Sequence, residues 1–150
     1  MLEKILVPLD GSDMAEAVLP NVRGLAERFG SEVTVLQVLT PIPVTYYGVY
    51  VDMAVIEDVE QAARTTANTY IQQTVARLEA LGLKAKAVLM EELSVADSIL
   101  EYAEQNRIDL IAMSTHGRTG IGRWLLGSVA DRVVNHSKTP MLLVRPDLSK

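Results

Sequence analysis

Short apolar segments alternate along this chain with longer segments in which apolar residues recur every three or four positions. The alternation predicts five strands, at residues 4–9, 32–39, 85–90, 109–113 and 141–144. It predicts four helices between them, at residues 13–29, 57–81, 94–105 and 128–136. Strands that are apolar throughout are buried on both faces. We therefore expect an α/β fold, a three-layer sandwich with a five-stranded, mostly parallel sheet in the order 3-2-1-4-5 and helices on both faces.

The length and charge of the chain limit its partners. A chain of 150 residues fits one domain, and a net charge of −5 offers no general attraction to nucleic acid or to anionic lipid. With no cysteine and two histidines, neither a disulfide framework nor a zinc site built from Cys or His is expected. The uncharged stretch 33–51 contains prolines and polar residues, so we interpret it as a strand and a loop rather than a membrane span. The first residues lack the pattern of a signal peptide, which favours the cytoplasm.

The first predicted helix follows a tight turn at Asp10-Gly11-Ser12. Either Ser12 or Asp13 is expected to cap it, and Asp13 with Glu16 has the spacing of a capping box. Pro20 is expected to bend this helix. Its predicted buried face consists of Val18, Val22, Leu25, Ala26 and Phe29.

The second predicted helix is preceded by a long loop. The loop, 40–56, contains two prolines and three tyrosines, and it serves either as a lid or partner surface or as a cover for the end of the sheet. Gly82 is expected to end the helix. The predicted apolar face consists of Val59, Ala62, Ala63, Ala67, Tyr70, Ile71, Val75 and Leu78.

Four of the nine glycines lie between Gly117 and Gly127, directly after the fourth strand. In an open parallel sheet the ligand crevice lies beyond the carboxyl ends of the strands, so the turn at residues 10–12 and the turn at residues 114–117 are expected to face one site. Gly127 and Ser128 open a helix whose first amides attract an anion such as phosphate. The Ser128 hydroxyl either donates to that anion or caps the helix, with Asp131 completing a capping box.

The established phosphate and phosphotransfer motifs do not fit the chain. The P-loop pattern GxxxxGK[ST] is absent, and the pattern GxGxxG fails because Leu125 stands where its last glycine is required. The response-regulator pattern requires further acids at the strand ends, but Asp10 stands alone after the first strand and Met90 closes the third. A P-loop kinase, a dinucleotide-binding enzyme and a receiver domain are therefore not indicated.

Two segments resemble a known family. The sequence VPLDGS at residues 7–12 and the sequence DLIAMSTHGRTGIGRWLLGSVADRVVNHSKTPMLLV at residues 109–144 resemble the ATP-binding branch of the universal stress protein family. The pattern of that branch is glycine, two residues, glycine, nine residues, then glycine and Ser or Thr. Gly117, Gly127 and Ser128 match it, whereas Ser114 stands in place of the first glycine. The Cβ of Ser114 is expected to affect nucleotide affinity more than the existence of the pocket.

The resemblance implies a set of nucleotide-binding residues. It places Asp10 near the ribose or adenine, Pro8 near the base, and the backbone of Val38 at the adenine edge. Arg118 and Arg123 are candidates to neutralise phosphate charge, whereas His116 is interpreted as a loop residue in preference to a general base. The complete candidate set is Pro8, Leu9, Asp10, Val38, Met113, Ser114, His116, Gly117, Arg118, Gly127, Ser128 and Val129.

The predicted function is therefore that of an adenine-nucleotide-binding stress protein. The expected cofactor is ATP, with or without Mg²⁺, bound without fast turnover, and the expected partners are an unidentified protein and a second copy of the chain. The copies would pair through the exposed apolar edge strand at residues 141–144, as the resemblance also implies. Two alternatives remain open: a dimeric interaction module of the same fold that does not bind ATP, and a slow ATPase or phosphotransferase.

Overall fold

The computed structural model describes residues 1–43, 52–116 and 126–147. In chain order these residues form β1 (Lys4–Pro8), α1 (Asp13–Glu16), α2 (Leu19–Phe29), β2 (Glu32–Leu39), α3 (Met53–Ala80), β3 (Lys84–Glu91), α4 (Val95–Gln105), β4 (Leu110–Ser114), α5 (Ser128–His136) and β5 (Met141–Val144).

The five strands form one parallel sheet in the order β3-β2-β1-β4-β5. This confirms the predicted fold class, the strand number and the strand order. The order reverses between β1 and β4, because the chain first builds outward to β3 and then returns to the other side of β1. The carboxyl ends of β1 and β4 thus lie side by side at the switch point, where open α/β sheets form their ligand crevice.

Two apolar cores cover the two faces of the sheet, because successive strand residues point to opposite sides. Ile5 and Val7 of β1 belong to the core beneath α2 and α3, whereas Leu6 between them belongs to the core beneath α4 and α5. All three side chains are fully buried, and each such side chain contributes about 1.5–3 kcal/mol by leaving water. The sandwich therefore has helices on both faces, as predicted.

The helix predicted at residues 13–29 is interrupted, and two details of its prediction are wrong. Pro20 lacks the N–H that would donate to Glu16, and the chain divides into α1 and α2 just before it. Ser12 is the N-cap of α1, because its Oγ accepts from the Ala15 amide at 3.1 Å. Asp13 and Glu16 therefore form no capping box, and Phe29 is 57% exposed instead of buried with Val22.

Helix α3 begins four residues earlier than predicted, inside the segment interpreted as loop. The Asp52 side chain accepts from the Ala54 amide at 2.9 Å and so caps a helix that starts at Met53. The prediction missed this start because the first turns of α3 are exposed and carry no buried apolar stripe. Val59, expected on the buried face, is 50% exposed, and the residues of α3 that are buried lie between Ala67 and Leu78.

The predicted loop 40–56 falls partly on residues 44–51, outside the described part of the chain, so its role as a lid or cover stays a prediction. None of the helices within residues 1–43, 52–116 and 126–147 combines the length and the apolar character that crossing a bilayer requires.

Candidate functional site

A cavity of about 400 Å³ lies at the carboxyl ends of β1 and β4, bounded by α1, α4 and the start of α5. Its volume lies within the range of about 300–1,000 Å³ that is typical of small-molecule sites. The lining residues are Pro8, Leu9, Asp10, Ala15, Thr40, Val95, Ile99, Met113, Ser114, Thr115, His116, Gly127, Ser128, Val129 and Ala130. Its position is the one that the switch point of the sheet predicts.

One wall of the cavity is the turn that joins β1 to α1. Asp10 Oδ1 accepts from both the amide and the hydroxyl of Ser12, at 2.9 and 2.6 Å. The same Ser12 Oγ caps α1, so a single hydroxyl fixes both the Asp10 carboxylate and the first turn of the helix. Gly11 between them has φ +84°, a left-handed conformation that side chains rarely adopt. The turn therefore holds Asp10 in a defined orientation at the end of β1.

The opposite wall is the segment that follows β4. Thr115 continues the pairing with β5, because its amide donates to the Val144 carbonyl at 2.9 Å. Thr115 Oγ1 lies 3.0 Å from His116 Nδ1, which fixes the imidazole ring, and the His116 amide donates to Ser114 Oγ at 3.4 Å. His116 Nε2 is buried and has no hydrogen-bond partner in the described structure. A buried nitrogen without a partner requires an explanation, and a hydrogen bond to a bound molecule is one that the cavity offers.

The start of α5 approaches this segment closely, and Gly127 makes the approach possible. Its amide donates to the Thr115 carbonyl at 2.8 Å, and a Cβ at this position would lie 3.3 Å from the same oxygen. The Gly127 carbonyl accepts from the Asp131 amide at 2.8 Å, so Gly127 is the N-cap residue of α5. Because the Gly127 amide is occupied within the chain, it does not serve an anion.

The capping interpretation of Ser128 is wrong. The N-cap position belongs to Gly127 and carries no side-chain hydrogen bond, so Ser128 is the first residue of the helix and its side chain is exposed. Asp131 consequently completes no capping box. The amides of Ser128, Val129 and Ala130, in the first turn, have no acceptor inside a helix, and all three residues line the cavity. These are the amides that can face an anion.

Most of the predicted site residues meet at this one cavity. Nine of them line it, as the lining set above shows, whereas Val38 does not. Val38 lies on β2 and packs against the core beneath α4 and α5. Gly117, Arg118 and Arg123 lie outside the described residues, so their roles stay predictions.

Sequence reasoning missed six lining residues: Ala15, Thr40, Val95, Ile99, Thr115 and Ala130. All six are uncharged and none is a fixed position of the glycine pattern, so their residue types give no signal. Thr40 and Val95 follow the ends of β2 and β3, and the rule that crevices form at carboxyl ends would have found them. Thr115 lies within the glycine-rich segment itself and could have been found from its position there.

The parallel sheet, its strand order and a cavity at the switch point define a doubly wound α/β protein with an open crevice at the carboxyl edge. A model of the universal stress protein family matches residues 1–145. The chain belongs to the universal stress protein family.

Two relatives resemble the chain over most of its length. Universal stress protein MJ0531 of Methanocaldococcus jannaschii is 30% identical over 145 residues, which are 97% of this chain and 83% of that protein. A universal stress protein of Thermus aquaticus is also 30% identical over 145 residues, which are 97% of this chain and all of that protein.

Solved structures share the fold. Protein MJ0577 superposes with a TM-score of 0.87 at 28% identity, over 99% of both chains. A universal stress protein in complex with cAMP has a TM-score of 0.71 at 19% identity, over 96% of this chain and 97% of that one. An Arabidopsis thaliana family member with AMP bound has a TM-score of 0.70 at 15% identity, over 97% of this chain and 93% of that one. The Archaeoglobus fulgidus protein in complex with dAMP has a TM-score of 0.63 at 23% identity, over 95% and 98%.

Proposed function

We propose that this chain binds an adenine nucleotide in the cavity at the carboxyl edge of its sheet. The observation that carries the proposal is the meeting of two walls there: the turn that holds Asp10, and the first-turn amides of α5 beside His116. A carboxylate suits sugar hydroxyls, and helix amides suit phosphate. Three proteins that share the fold hold AMP, cAMP or dAMP, which supports the same class of ligand here.

The phosphates would lie at the start of α5. The amides of Ser128, Val129 and Ala130 would donate to phosphate oxygens, and the exposed Ser128 hydroxyl would add one donor. His116 Nε2 offers a further hydrogen-bonding atom that the described structure leaves unused. Gly117 and Arg118 are proposed to continue this phosphate site.

The base and ribose would lie on the β1 side of the cavity. Asp10 is proposed to accept from ribose hydroxyls, while Pro8, Leu9 and Met113 supply apolar surface. Val38 does not line the cavity, so reading of the adenine edge by its backbone is the least supported of the proposed contacts. Thr40, the residue that follows β2, lines the cavity and is better placed for that role.

ATP is the proposed ligand, either alone or as its complex with Mg²⁺. No group of three or more His, Asp or Glu side chains in the described ranges is placed to hold a metal ion, so phosphates and water would supply most of the Mg²⁺ ligands. We propose that the protein does not turn ATP over rapidly and acts in the cytoplasm as a regulator that signals through a protein partner.

A homodimer through β5 completes the proposal. The strand MLLV lies at the edge of the sheet, and Leu143 on it is 36% exposed. The other edge strand, β3, carries exposed Lys84, Lys86 and Glu91, charges that discourage pairing with another chain. Two β5 strands paired across a two-fold axis would cover the apolar edge. Sedimentation equilibrium at micromolar concentration tests this, since a monomer would refute the dimer.

The alternative function is that of an interaction module without ATP, and Ser114 is the observation that favours it. Ser114 ends β4, is 6% exposed and lines the cavity, so its side chain occupies space that the glycine of the family pattern leaves open. Replacement of Ser114 by Gly would then raise ATP affinity, whereas an unchanged affinity would show that the serine is tolerated.

Mass spectrometry of ligand released from freshly purified, denatured protein tests the proposal directly. An adenine nucleotide in the released fraction is the expected result. Calorimetric titration of nucleotide-free protein with ATP, AMP and cAMP then ranks the ligands. If no adenine nucleotide co-purifies and none binds at millimolar concentration, the nucleotide proposal is refuted.

Incubation with γ-labelled ATP separates a binding protein from a slow ATPase or phosphotransferase. We expect neither released phosphate nor labelled protein at a rate above the uncatalysed background. Phosphate release that disappears when Asp10 or His116 is replaced by Ala would instead establish catalysis.

A further inference from the structure

A second open space lies on the other face of the sheet, between α2 and α3. It has a volume of about 620 Å³, larger than the cavity at the carboxyl edge. Along α2 its lining runs from Leu19 to Glu27, about two turns or about 12 Å of helix. On the other side it is lined by the last turns of α3, from Thr74 to Leu78, and by Leu81 just past the end of that helix. We call this space the α2–α3 groove. It shares no lining residue with the cavity at the carboxyl edge.

Gly24 lies in the middle of α2 and lines the α2–α3 groove. Glycine weakens a helix interior relative to alanine, so its presence there requires a reason. Packing within the described chain gives none, because a Cβ on Gly24 would meet no atom within 4 Å. What the glycine does provide is bare backbone at the wall of an open groove, where another molecule can approach closely.

The groove also exposes apolar side chains that the core does not use. Leu19 is half-buried, Pro20 is exposed, and Leu81, just past the end of α3, is 46% exposed. Leu78, which is buried, forms part of the lining beside them. An apolar floor with a missing side chain at Gly24 suits the apolar stripe of a helix.

The net charge that the groove presents comes mainly from Arg77, because the members of its other ion pair, Arg23 and Glu27, are exposed to similar extents and balance each other. Glu16 Oε1 accepts from the Tyr70 hydroxyl at 2.8 Å and from Arg77 at 2.9 Å. The Glu16 side chain is only 23% exposed, whereas that of Arg77 is 57% exposed. Burial, and then the hydrogen bond to Glu16, raises the pKa of Tyr70 well above its ordinary value, so Tyr70 remains a neutral donor. The carboxylate is therefore covered, while much of the guanidinium stays accessible.

Arg77 keeps donors for a partner. One of its nitrogens, Nη2, donates to Glu16 and to Thr74, at 2.9 and 3.1 Å, whereas a guanidinium has five N–H donors on three nitrogens. The second ion pair of the groove, Arg23 with Glu27 on α2, is separate and half exposed. The polar groups thus lie as two separate pairs along the groove and do not converge on one point, as a small ligand would require.

We propose that the α2–α3 groove binds an amphipathic helix of a partner protein, with its apolar stripe against Gly24, Leu19 and Leu81 and an acidic side chain on Arg77. The bare backbone at Gly24 sets how closely the helix approaches. The accessible guanidinium of Arg77 sets the sign of the charge that it must carry. The proposal does not depend on nucleotide binding.

Peptide binding tests the proposal. The probe is a fluorescent helical peptide of about 18 residues with leucines at i, i+3 or i+4, and i+7, flanked by glutamates; its control replaces each glutamate by lysine. Fluorescence anisotropy should show saturable binding of the glutamate peptide, and binding of the lysine peptide at least about tenfold weaker. If neither peptide binds, or both bind equally, the proposal is wrong.

Variants at Gly24 and Arg77 connect that binding to the groove. Gly24→Leu fills the groove and should abolish binding, whereas Gly24→Ala adds one methyl group and should weaken it less. Arg77→Gln should weaken the glutamate peptide about fivefold or more, whereas Arg28→Gln, on α2 but outside the lining, should leave it unchanged. Binding by Gly24→Leu equal to that of the parent would overturn the proposal.

Two further measurements keep these outcomes interpretable. Circular dichroism and thermal unfolding should show that Gly24→Leu folds, and ATP affinity should be the same in Gly24→Leu and the parent. A fatty acid, dodecanoate, tests whether the groove is a small-molecule site instead. The partner-helix proposal is wrong if dodecanoate competes with the peptide, if Gly24→Leu abolishes dodecanoate binding, and if the glutamate peptide binds no better than the lysine peptide.

Discussion

The two ends of the sheet differ in how their polar groups are satisfied. At the amino end, Asp109 Oδ2 accepts from the amides of Glu3 and Lys4, both at 2.8 Å, and Ser31 Oγ donates to the Leu2 carbonyl at 2.6 Å. At the carboxyl end, His116 Nε2 has no partner among the described residues, although it is buried. The amino end uses these groups to join distant parts of the chain, whereas the carboxyl end leaves one buried nitrogen without a partner beside the cavity.

This difference predicts which measurement each substitution changes. Substitutions at the amino end should lower stability without changing nucleotide affinity. Substitutions at the carboxyl end should change affinity, with an effect on stability only where the residue also holds the local fold. The four substitutions below test that separation, from the largest expected loss of stability to the smallest.

Gly127→Val should abolish nucleotide binding. The Cβ would lie 3.3 Å from the Thr115 carbonyl oxygen, and the two further methyl groups would push the first turn of α5 away from that segment. We expect ATP affinity to fall at least about 100-fold, or about 2.7 kcal/mol, and stability to fall by about 1–3 kcal/mol. Calorimetry and urea unfolding measure the two effects.

The control for this substitution is Gly24→Ala, a helical glycine with open space around it, which should keep the ATP affinity of the parent. If Gly127→Val binds ATP as tightly as the parent, the start of α5 is not the phosphate site.

Ser12→Ala should affect both measurements. The change removes the cap of α1 and the hydrogen bond that Ser12 Oγ donates to Asp10. We expect a loss of about 1–1.5 kcal/mol of stability and a decrease of about fivefold in ATP affinity, because Asp10 loses its fixed orientation. Ser12→Thr, which keeps the hydroxyl, should retain most of both. A loss of stability with unchanged affinity would show that Asp10 does not contact the nucleotide.

Asp109→Ala should lower stability without changing ATP affinity. The loss should be only about 1 kcal/mol, because Asp109 is partly exposed and the two amides can bond to water once its carboxylate is removed. Hydrogen bonds from the amides of Lys4 and Glu3 lower the pKa of Asp109. The folded state therefore favours the charged carboxylate. The ionised Asp109 stabilises the folded protein fully above the unfolded pKa of about 4, and this stabilisation is lost as the pH falls through the lower pKa of the folded state.

Urea unfolding of the parent and of Asp109→Ala at pH 7 and at pH 3 measures this dependence. The difference between the two proteins should shrink at the lower pH, and ATP affinity at pH 7 should be equal. A difference that stays constant between the two pH values would show that the charge of Asp109 contributes nothing.

Ser128→Ala should give the smallest loss of stability. Because Gly127 holds the N-cap position, removal of the Ser128 hydroxyl should change stability by no more than about 0.5 kcal/mol. Loss of one donor to phosphate should weaken ATP binding about threefold to tenfold. Ser128→Thr should bind as the parent does. A stability loss well above 1 kcal/mol would restore the capping role that the structure contradicts.

Much of the fold was predictable because the evidence for it is local. Strands such as β2 are apolar throughout, and such strands occur in parallel sheets covered on both faces. The errors came where local signals compete: Ser12 and Asp13 are both good capping residues, and the start of α3 is exposed. The spacing of Phe29 predicts burial, but this residue is the last of α2 and its side chain is exposed.

The candidate site was predictable in part for a different reason. The position of the crevice follows from strand order, and the glycine pattern identified Ser114, Gly127 and Ser128, which line it. That Val38 lies away from the cavity while Thr40 lines it depends on where β2 ends relative to its neighbours, which no local pattern specifies. The α2–α3 groove carries no motif at all, because its residues are ordinary ones brought together by packing.

The sequence by itself determined the alternation of strands and helices, the parallel sheet and the family to which the chain belongs. Only the tertiary structure decided which polar groups are already occupied: the Gly127 amide by the Thr115 carbonyl, Glu16 by Tyr70 and Arg77, and Asp109 by the first strand. The physical reason is range. Periodicity and turn chemistry act over a few neighbouring residues, whereas a hydrogen-bonding group finds its partner, or remains available to a ligand, through contacts between distant parts of the chain.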